Sequence, residues 1–126
     1  MTLLNTILDR LPSENNNGNI EYKWKLCDIS SRKISHLATQ MLFRLTEGGG
    51  NAEYYLGVTD KGDTTGILKS ELNMTLYNLL ECCRLLGVRI LSYKTYIQNI
   101  DSNGNDRYCI HLKVRKLDLP SSKISL

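Results

Sequence analysis

Residues 30–58 read SSRKISHLATQMLFRLTEGGGNAEYYLGV, so that a helix pattern, a run of glycines and a strand pattern follow one another directly. Apolar side chains recur every three or four residues in the first part, as on one face of a helix. Ser30 or Ser31 can cap that helix, and Gly48-Gly49-Gly50 can end it, since glycine accepts the left-handed backbone conformation. The alternation over residues 52–58 is typical of a half-buried strand. The predicted apolar stripe of the helix is Ile34, Leu37, Ala38, Met41 and Leu45.

The same two patterns recur on both sides of this stretch. Upstream, residues 20–26 alternate and predict a strand with Tyr22 inward and Glu21, Lys23 and Lys25 outward. Downstream, the patterns predict a short hairpin strand at 64–68, a helix from Ser70 to Gly87, and strands at 88–97 and 107–116. The order is β-α-β-β-α-β-β. Because each helix has one apolar stripe, we predict an α+β fold with both helices on one face of a mixed sheet.

The two ends of the chain differ from this middle part. Residues 3–11 carry leucine and isoleucine at helical spacing before Pro12, and they predict an extra N-terminal helix that packs on the domain or docks to a partner. The Asn-rich residues that follow predict a flexible linker. We therefore expect a helix and linker over 1–18, one α+β domain over 19–117 and a tail over 118–126.

Composition excludes several classes of protein. The 126-residue chain has a net charge of +3, which is too small to indicate nucleic-acid binding unless the basic residues are clustered. Its four cysteines form no C-x-x-C pair, so a metal site is not expected, and reduced thiols favour a cytoplasmic location. No apolar run approaches the 18 residues typical of a membrane span, so no membrane partner is expected.

Two loops look superficially like ligand sites. Residues 62–67 have the wrong glycine spacing for a phosphate loop and lack its lysine, so GTP or ATP binding is not predicted. Asp101, Asn103 and Asn105 alternate as in a calcium loop, but the glycine and glutamate required later in that motif are absent. No serine or cysteine has an evident base partner, so no catalytic residue is predicted and no cofactor is expected.

Basic residues on two predicted strands indicate a nucleic-acid surface. The last strand should point Tyr108, Ile110, Leu112 and Val114 inward and His111, Lys113 and Arg115 outward. If this strand neighbours the first one, Lys23 and Lys25 would extend the same basic stripe, which could follow a phosphate backbone. Arg32, His36 and Phe43 form a further candidate contact surface on the first helix. An ordinary solvated sheet face explains the same charges, so both interpretations stay open.

The stretch from residue 18 to residue 67 resembles the N-terminal region of GTP-binding proteins 1 and 2, translational GTPases related to elongation factor Tu. The matching positions are Asn19-Ile20-Glu21-Tyr22-Lys23, Leu26, His36-Leu37, Thr39-Gln40-Met41, Arg44-Leu45, Glu47-Gly48, Glu53, Gly57-Val58, Asp60 and Gly62. The resemblance implies an accessory domain linked to ribosome-associated GTP hydrolysis and mRNA turnover. Its implied partners are RNA, the ribosome or the GTPase domain of the same family. GTP and magnesium would belong to that GTPase domain, whose first strand would begin about where this chain ends.

A weaker resemblance links the chain to Schlafen-type AlbA domains, some of which are metal-dependent RNA nucleases. It would place two of three acidic metal ligands at Glu21 and Asp60, while the third position is Asn16. A missing carboxylate argues against this chemistry, because acidic oxygens hold the hard cation. We therefore expect the chain not to be catalytic by itself. A scaffold that docks through the N-terminal helix is the remaining alternative.

Overall fold

The computed structural model describes residues 7–27 and 30–117, with the backbone alone described at 99 and 100. The elements in chain order are β1 (Ile20–Lys23), α1 (Ser31–Glu47), β2 (Asn51–Leu56), α2 (Lys69–Leu86), β3 (Arg89–Ile100) and β4 (Asp106–Arg115). This confirms the predicted α+β class with a mixed sheet and two long helices. In the described part of the chain, neither helix is long and apolar enough to cross a membrane.

The four strands lie in the order β1-β2-β4-β3. β1 pairs with β2 in parallel, as expected for two strands joined by a crossover helix, and the other two pairings are antiparallel. Both helices contribute to one apolar core on one face, which we call the helix face of the sheet. Leu37, Met41 and Leu45 of α1 are buried there as predicted, and so are Ile110, Leu112 and Val114 of β4.

The predicted orientation of β1 is wrong. Glu21 is paired in register with Tyr54, whose ring lies in the core, and Glu21 is itself buried on the helix face. Tyr22 points to the opposite face, where it packs with Val58 and Cys109. The inversion is tolerated because Arg44 of α1 neutralises the Glu21 carboxylate at 2.8 Å.

The apolar pattern of the second helix predicts a buried stripe of Leu72, Leu76, Leu79, Leu80, Cys83 and Leu86, and all of these except Leu80 are buried or packed on the core. Leu80 is 42% exposed, whereas Thr75 and Asn78 are buried. Their polar groups are satisfied by one stretch of backbone, because Leu26 N–H donates to Thr75 Oγ1 and Asn78 Nδ2 donates to Leu26 O. Hydrogen bonds to the chain that follows β1 therefore explain why these two polar residues are buried on α2. The predicted strand at 64–68 is reduced to a single bridge between Ile67 and Tyr108.

The predicted N-terminal helix is wrong for its described part, since residues 7–11 are not helical; residues 1–6 lie outside the described residues. The backbone of this segment makes tertiary hydrogen bonds instead. Leu8 N–H donates to Gln98 Oε1 at 2.8 Å, and Leu11 N–H donates to Gly62 O at 3.0 Å. Leu8 and Leu11 thereby cover part of the sheet face opposite the helices. Gly62 is needed for this approach, because a Cβ there would meet Leu11 O at 2.0 Å.

Candidate anion-binding cleft

An open cleft of about 520 Å³ lies between the end of β1 and the first turns of α1. Five of its lining side chains are basic, namely Lys23, Lys25, Arg32, Lys33 and His36. Leu26, Cys27, Leu37 and Gln40 complete the described lining, which contains no carboxylate. The cleft brings together four of the residues that the sequence indicated as binding residues, Lys23, Lys25, Arg32 and His36.

Two elements bring these side chains together. Arg32, His36 and Gln40 are spaced four residues apart on α1, so they form one row along the helix. Lys23 ends β1, and Lys25 follows it where the chain leaves the sheet. Because Gln40 and Arg44 of α1 hydrogen-bond with Lys23 and Glu21 of β1, the row on the helix lies next to the strand end. Lys23 joins the two walls by donating from Nζ to Gln40 Oε1 at 2.6 Å.

The basic groups of the cleft differ in how far they are neutralised. Lys25 Nζ donates to Glu71 Oε2 at 2.6 Å, and this hydrogen bond holds the pKa of Glu71 below its usual value. Lys23 Nζ lies 3.4 Å from Glu21 Oε2. By contrast, the side chains of Arg32 and His36 have no hydrogen-bond or ion-pair partner among residues 7–27 and 30–117. The two basic side chains of the cleft without such a partner therefore both lie on the α1 wall.

A buried charge cluster fixes the position of α1 against β1 next to the cleft. Arg44 Nε donates to Glu21 Oε1 at 2.8 Å, and the same guanidinium donates to the carbonyl oxygens of Asn15, Asn17 and Gly18. Glu14 lies 3.8 Å from this guanidinium and accepts the Tyr22 N–H. Burial, and then the neighbouring carboxylate of Glu21, raises the pKa of Glu14. The cluster places two carboxylates directly beside the cationic cleft.

The basic residues of β4 do not join the cleft. β2 lies between β1 and β4, and Lys23 faces the helices, so the stripe predicted from neighbouring strands is not formed. On the opposite sheet face, His111 Nε2 lies 2.7 Å from Glu53 Oε1 and the imidazole stacks on Tyr55 with ring centroids 4.1 Å apart. Lys113 is exposed and Arg115 is half-buried on this face. These three predicted residues therefore lie on a second surface, separate from the cleft.

Three further residues show what sequence reasoning found and missed. Phe43 is 45% exposed on α1, with the Arg44 guanidinium 5.6 Å from its ring centroid, and it lies outside the cleft. Lys33 and Gln40 line the cleft but were not predicted to contact a ligand. The four-residue spacing from Arg32 and His36 identifies Gln40, whereas Lys33 lies next to that row and no spacing indicates it.

The acidic residues of the nuclease hypothesis are not arranged as a metal centre. Glu21 is occupied by its ion pair with Arg44, and Asp60 lies in an exposed turn whose backbone carbonyl accepts the Glu14 N–H. The carboxyl group that interacts with Glu21 belongs to Glu14, whereas residue 16 is an asparagine. Within the described residues, no group of three or more His, Cys, Asp or Glu side chains could hold a metal ion.

A large part of this chain is similar in sequence to known proteins. GTP-binding protein 2 of Mus musculus and of Homo sapiens is 39% identical to it over 93 residues, which cover 74% of this chain and 15% of each mammalian protein. An uncharacterized protein of Acanthamoeba polyphaga mimivirus is 31% identical over 107 residues, which cover 84% of this chain and 55% of the viral protein. No family model matches the chain. The resemblance to the GTP-binding protein 1 and 2 family is thereby confirmed.

Proposed function

We propose, from the similarity to a segment of GTP-binding protein 2, that this domain is a non-catalytic accessory module of a GTP-binding factor and that it contacts RNA. In this proposal GTP and magnesium are handled by a GTPase domain of the same family. The accessory module positions that factor on RNA or on the ribosome. Its contact site is the cleft between β1 and α1.

The observation that carries the proposal is the convergence of five basic side chains on one concave surface. Phosphate groups are the component of RNA that such a surface recognises, because lysine and arginine displace the counterions that surround the backbone. A concave arrangement directs several donors at the same ligand atoms, whereas charges on a flat face are each separately solvated. Arg32 adds a planar guanidinium that can hold one phosphate with two parallel hydrogen bonds.

The charge of the cleft sets the expected salt dependence. Lys23 and Lys25 already face carboxylates, so we expect about three phosphate contacts at most. For single-stranded RNA the logarithm of affinity then falls with a slope of about −2 against the logarithm of salt concentration. Raising the salt from about 50 mM to about 200 mM should therefore weaken binding roughly 20-fold.

The experiment is a titration of a short single-stranded RNA with a 5′-hydroxyl end, at two salt concentrations, with manganese present and the RNA length followed on a gel. The test variant is Arg32→Gln with Lys33→Gln, because both side chains are exposed on α1 and line the cleft. The charge-matched control is Lys61→Gln with Arg89→Gln, two exposed residues outside the cleft.

We expect about a tenfold loss of affinity for the cleft variant and less than a twofold change for the control, corresponding to about 1.4 kcal/mol for the two lost contacts. The salt slope should become shallower only in the cleft variant. Equal losses in both variants would show that RNA responds to net charge alone and would overturn the assignment of the cleft. Manganese-dependent shortening of the RNA would overturn the proposal that the domain is non-catalytic.

A further inference from the structure

The positive region of the cleft is short, because carboxylates stand at its margins. Beyond Gln40, which also lines the cleft, the groove along α1 continues into a smaller cavity of about 290 Å³. In this cavity the carboxyl groups of Glu14 and Glu21 flank the buried Arg44 guanidinium. On the other side, Lys25 is held by Glu71. A phosphate chain that extended along α1 in the direction of Gln40 would therefore approach two acidic groups within one helical turn.

The size of the cleft also fits a compact ligand. About 520 Å³ lies within the range of small-molecule sites, which is roughly 300–1,000 Å³. Its basic groups come from two walls, the strand end with Lys23 and Lys25 and the helix with Arg32, Lys33 and His36. Donors on opposing walls can surround an anionic group that ends inside the cleft. A continuous RNA backbone needs an open track of positive charge in both directions instead.

The two side chains without a described partner, Arg32 and His36, also favour a compact ligand. Arg32 and His36 lie one turn apart on α1 and face the same opening. A guanidinium and an imidazole at this spacing can donate to different oxygens of one tri- or diphosphate group. Lys23 is held in place by Gln40, so its ammonium group is oriented before any ligand arrives.

From the charged margins and the two-walled geometry, we infer that the cleft takes a compact polyphosphate group rather than an internal stretch of RNA backbone. The inference rests on the proposed function, because it assumes that phosphate is the chemistry that the cleft recognises. The polyphosphate could be the 5′ end of an RNA or part of a free nucleotide. Both carry the same terminal oxygens, so the test contains an arm for each source.

The test compares four probes on the full chain: one RNA sequence with a 5′-triphosphate, the same RNA with a 5′-hydroxyl, inorganic tripolyphosphate, and ATP. Affinity is measured by calorimetry or fluorescence anisotropy at about 100 mM salt, where exposed charges are screened beyond about 10 Å. Occupancy is followed independently by alkylation of Cys27, which lines the cleft and is half-buried. A ligand in the cleft should slow this alkylation.

We expect the 5′-triphosphate RNA to bind at least tenfold more tightly than the 5′-hydroxyl RNA and to protect Cys27. Arg32→Gln with His36→Gln should remove this difference, while the control pair Lys61→Gln with Arg89→Gln should retain it. If ATP and tripolyphosphate bind as tightly as the triphosphate RNA, the source is a free nucleotide. If only the RNA binds tightly, the source is an RNA end.

The outcomes also distinguish a failure of this inference from a failure of the proposed function on which it rests. Equal binding of the two RNAs, lost together in the cleft variant, would overturn the inference and leave the RNA-contacting function standing. Binding of tripolyphosphate with no binding of either RNA would support the inference and overturn the RNA function. No binding of any probe would overturn both.

Discussion

The cleft and the exposed side of β4 carry similar basic residues but use them differently. In the cleft, the side chains of Arg32 and His36 face a shared opening and have no partner among the described residues. On β4, His111 is already paired with Glu53 and stacked on Tyr55. The difference shows that the shape of the surface and the partners of each charge, rather than the number of charges, distinguish a ligand site from a solvated face.

The largest expected effect comes from removing the support of the cleft. Arg44→Met would leave the buried Glu21 carboxylate without its main counter-ion and three backbone carbonyls without their donor. We expect a loss of about 3–5 kcal/mol in the free energy of unfolding, measured by urea denaturation. Arg84→Met, which breaks an exposed pair with Glu81, is the control and should leave the midpoint unchanged. Similar shifts in both variants would contradict the structural role of Arg44.

A second prediction compares the cysteines of the two regions. Cys27 lines the cleft, whereas Cys109 is buried under the N-terminal segment on the opposite face, and burial raises the pKa of the Cys109 thiol to about 12. Relative to the usual value of 9.0, this leaves about 1,000-fold fewer thiolates at neutral pH. Iodoacetamide should therefore modify Cys27 first, as followed by mass spectrometry. Modification of both at equal rates in the folded protein would contradict the burial of Cys109.

A third prediction concerns the charges of β4 themselves. Lys113→Gln with Arg115→Gln removes two positive charges from the face opposite the helices. If the cleft is the site, RNA affinity should change less than about threefold, because only long-range attraction is lost. The measurement is the same RNA titration as for the cleft variant. A loss larger than that caused by the cleft variant would assign binding to β4 and reverse the comparison.

The last prediction concerns two tyrosine hydroxyls on opposite faces of the sheet. Tyr54 is buried on the helix face, and its hydroxyl finds no hydrogen-bond partner within the described residues. Tyr54→Phe should therefore be neutral or stabilise by up to about 1 kcal/mol. Tyr22→Phe is the matched variant, because the Tyr22 hydroxyl donates to Pro12 O at 2.9 Å, and it should cost about 0.5–1.5 kcal/mol. Thermal unfolding of both variants measures which of the two substitutions costs more stability.

The sequence was sufficient for most of the fold. β4 pairs on both sides and has one apolar face, so its alternation predicted the correct orientation. β1 is an edge strand whose two faces are each partly covered. Alternation alone therefore could not show that Glu21, which is paired with Arg44, faces the helices while Tyr22 faces the other side. The same limit applies to Thr75 and Asn78, which are buried because backbone groups of Leu26 satisfy them.

The candidate site was predictable in its residues but not in its grouping. Lys23 and Lys25 were indicated by one pattern, and Arg32 and His36 by another. Only the packing of α1 over β1 places the two sets on opposite walls of one cleft. Separation of Lys23 from the β4 charges followed from strand order, because β2 lies between them. Strand order depends on long-range pairing that no local spacing encodes.

The hydrogen bonds of Arg44 to the carbonyls of Asn15, Asn17 and Gly18 bear on where this domain can be cut. A shortened version that starts at residue 19 would keep every helix and strand but would leave a buried guanidinium with one carboxylate and no carbonyl acceptors. The same cut would remove Leu8 and Leu11 from the sheet and bare the side chains of Tyr22 and Cys109. For expression and for domain exchange between relatives, the unit should therefore start no later than residue 8, well upstream of its first strand.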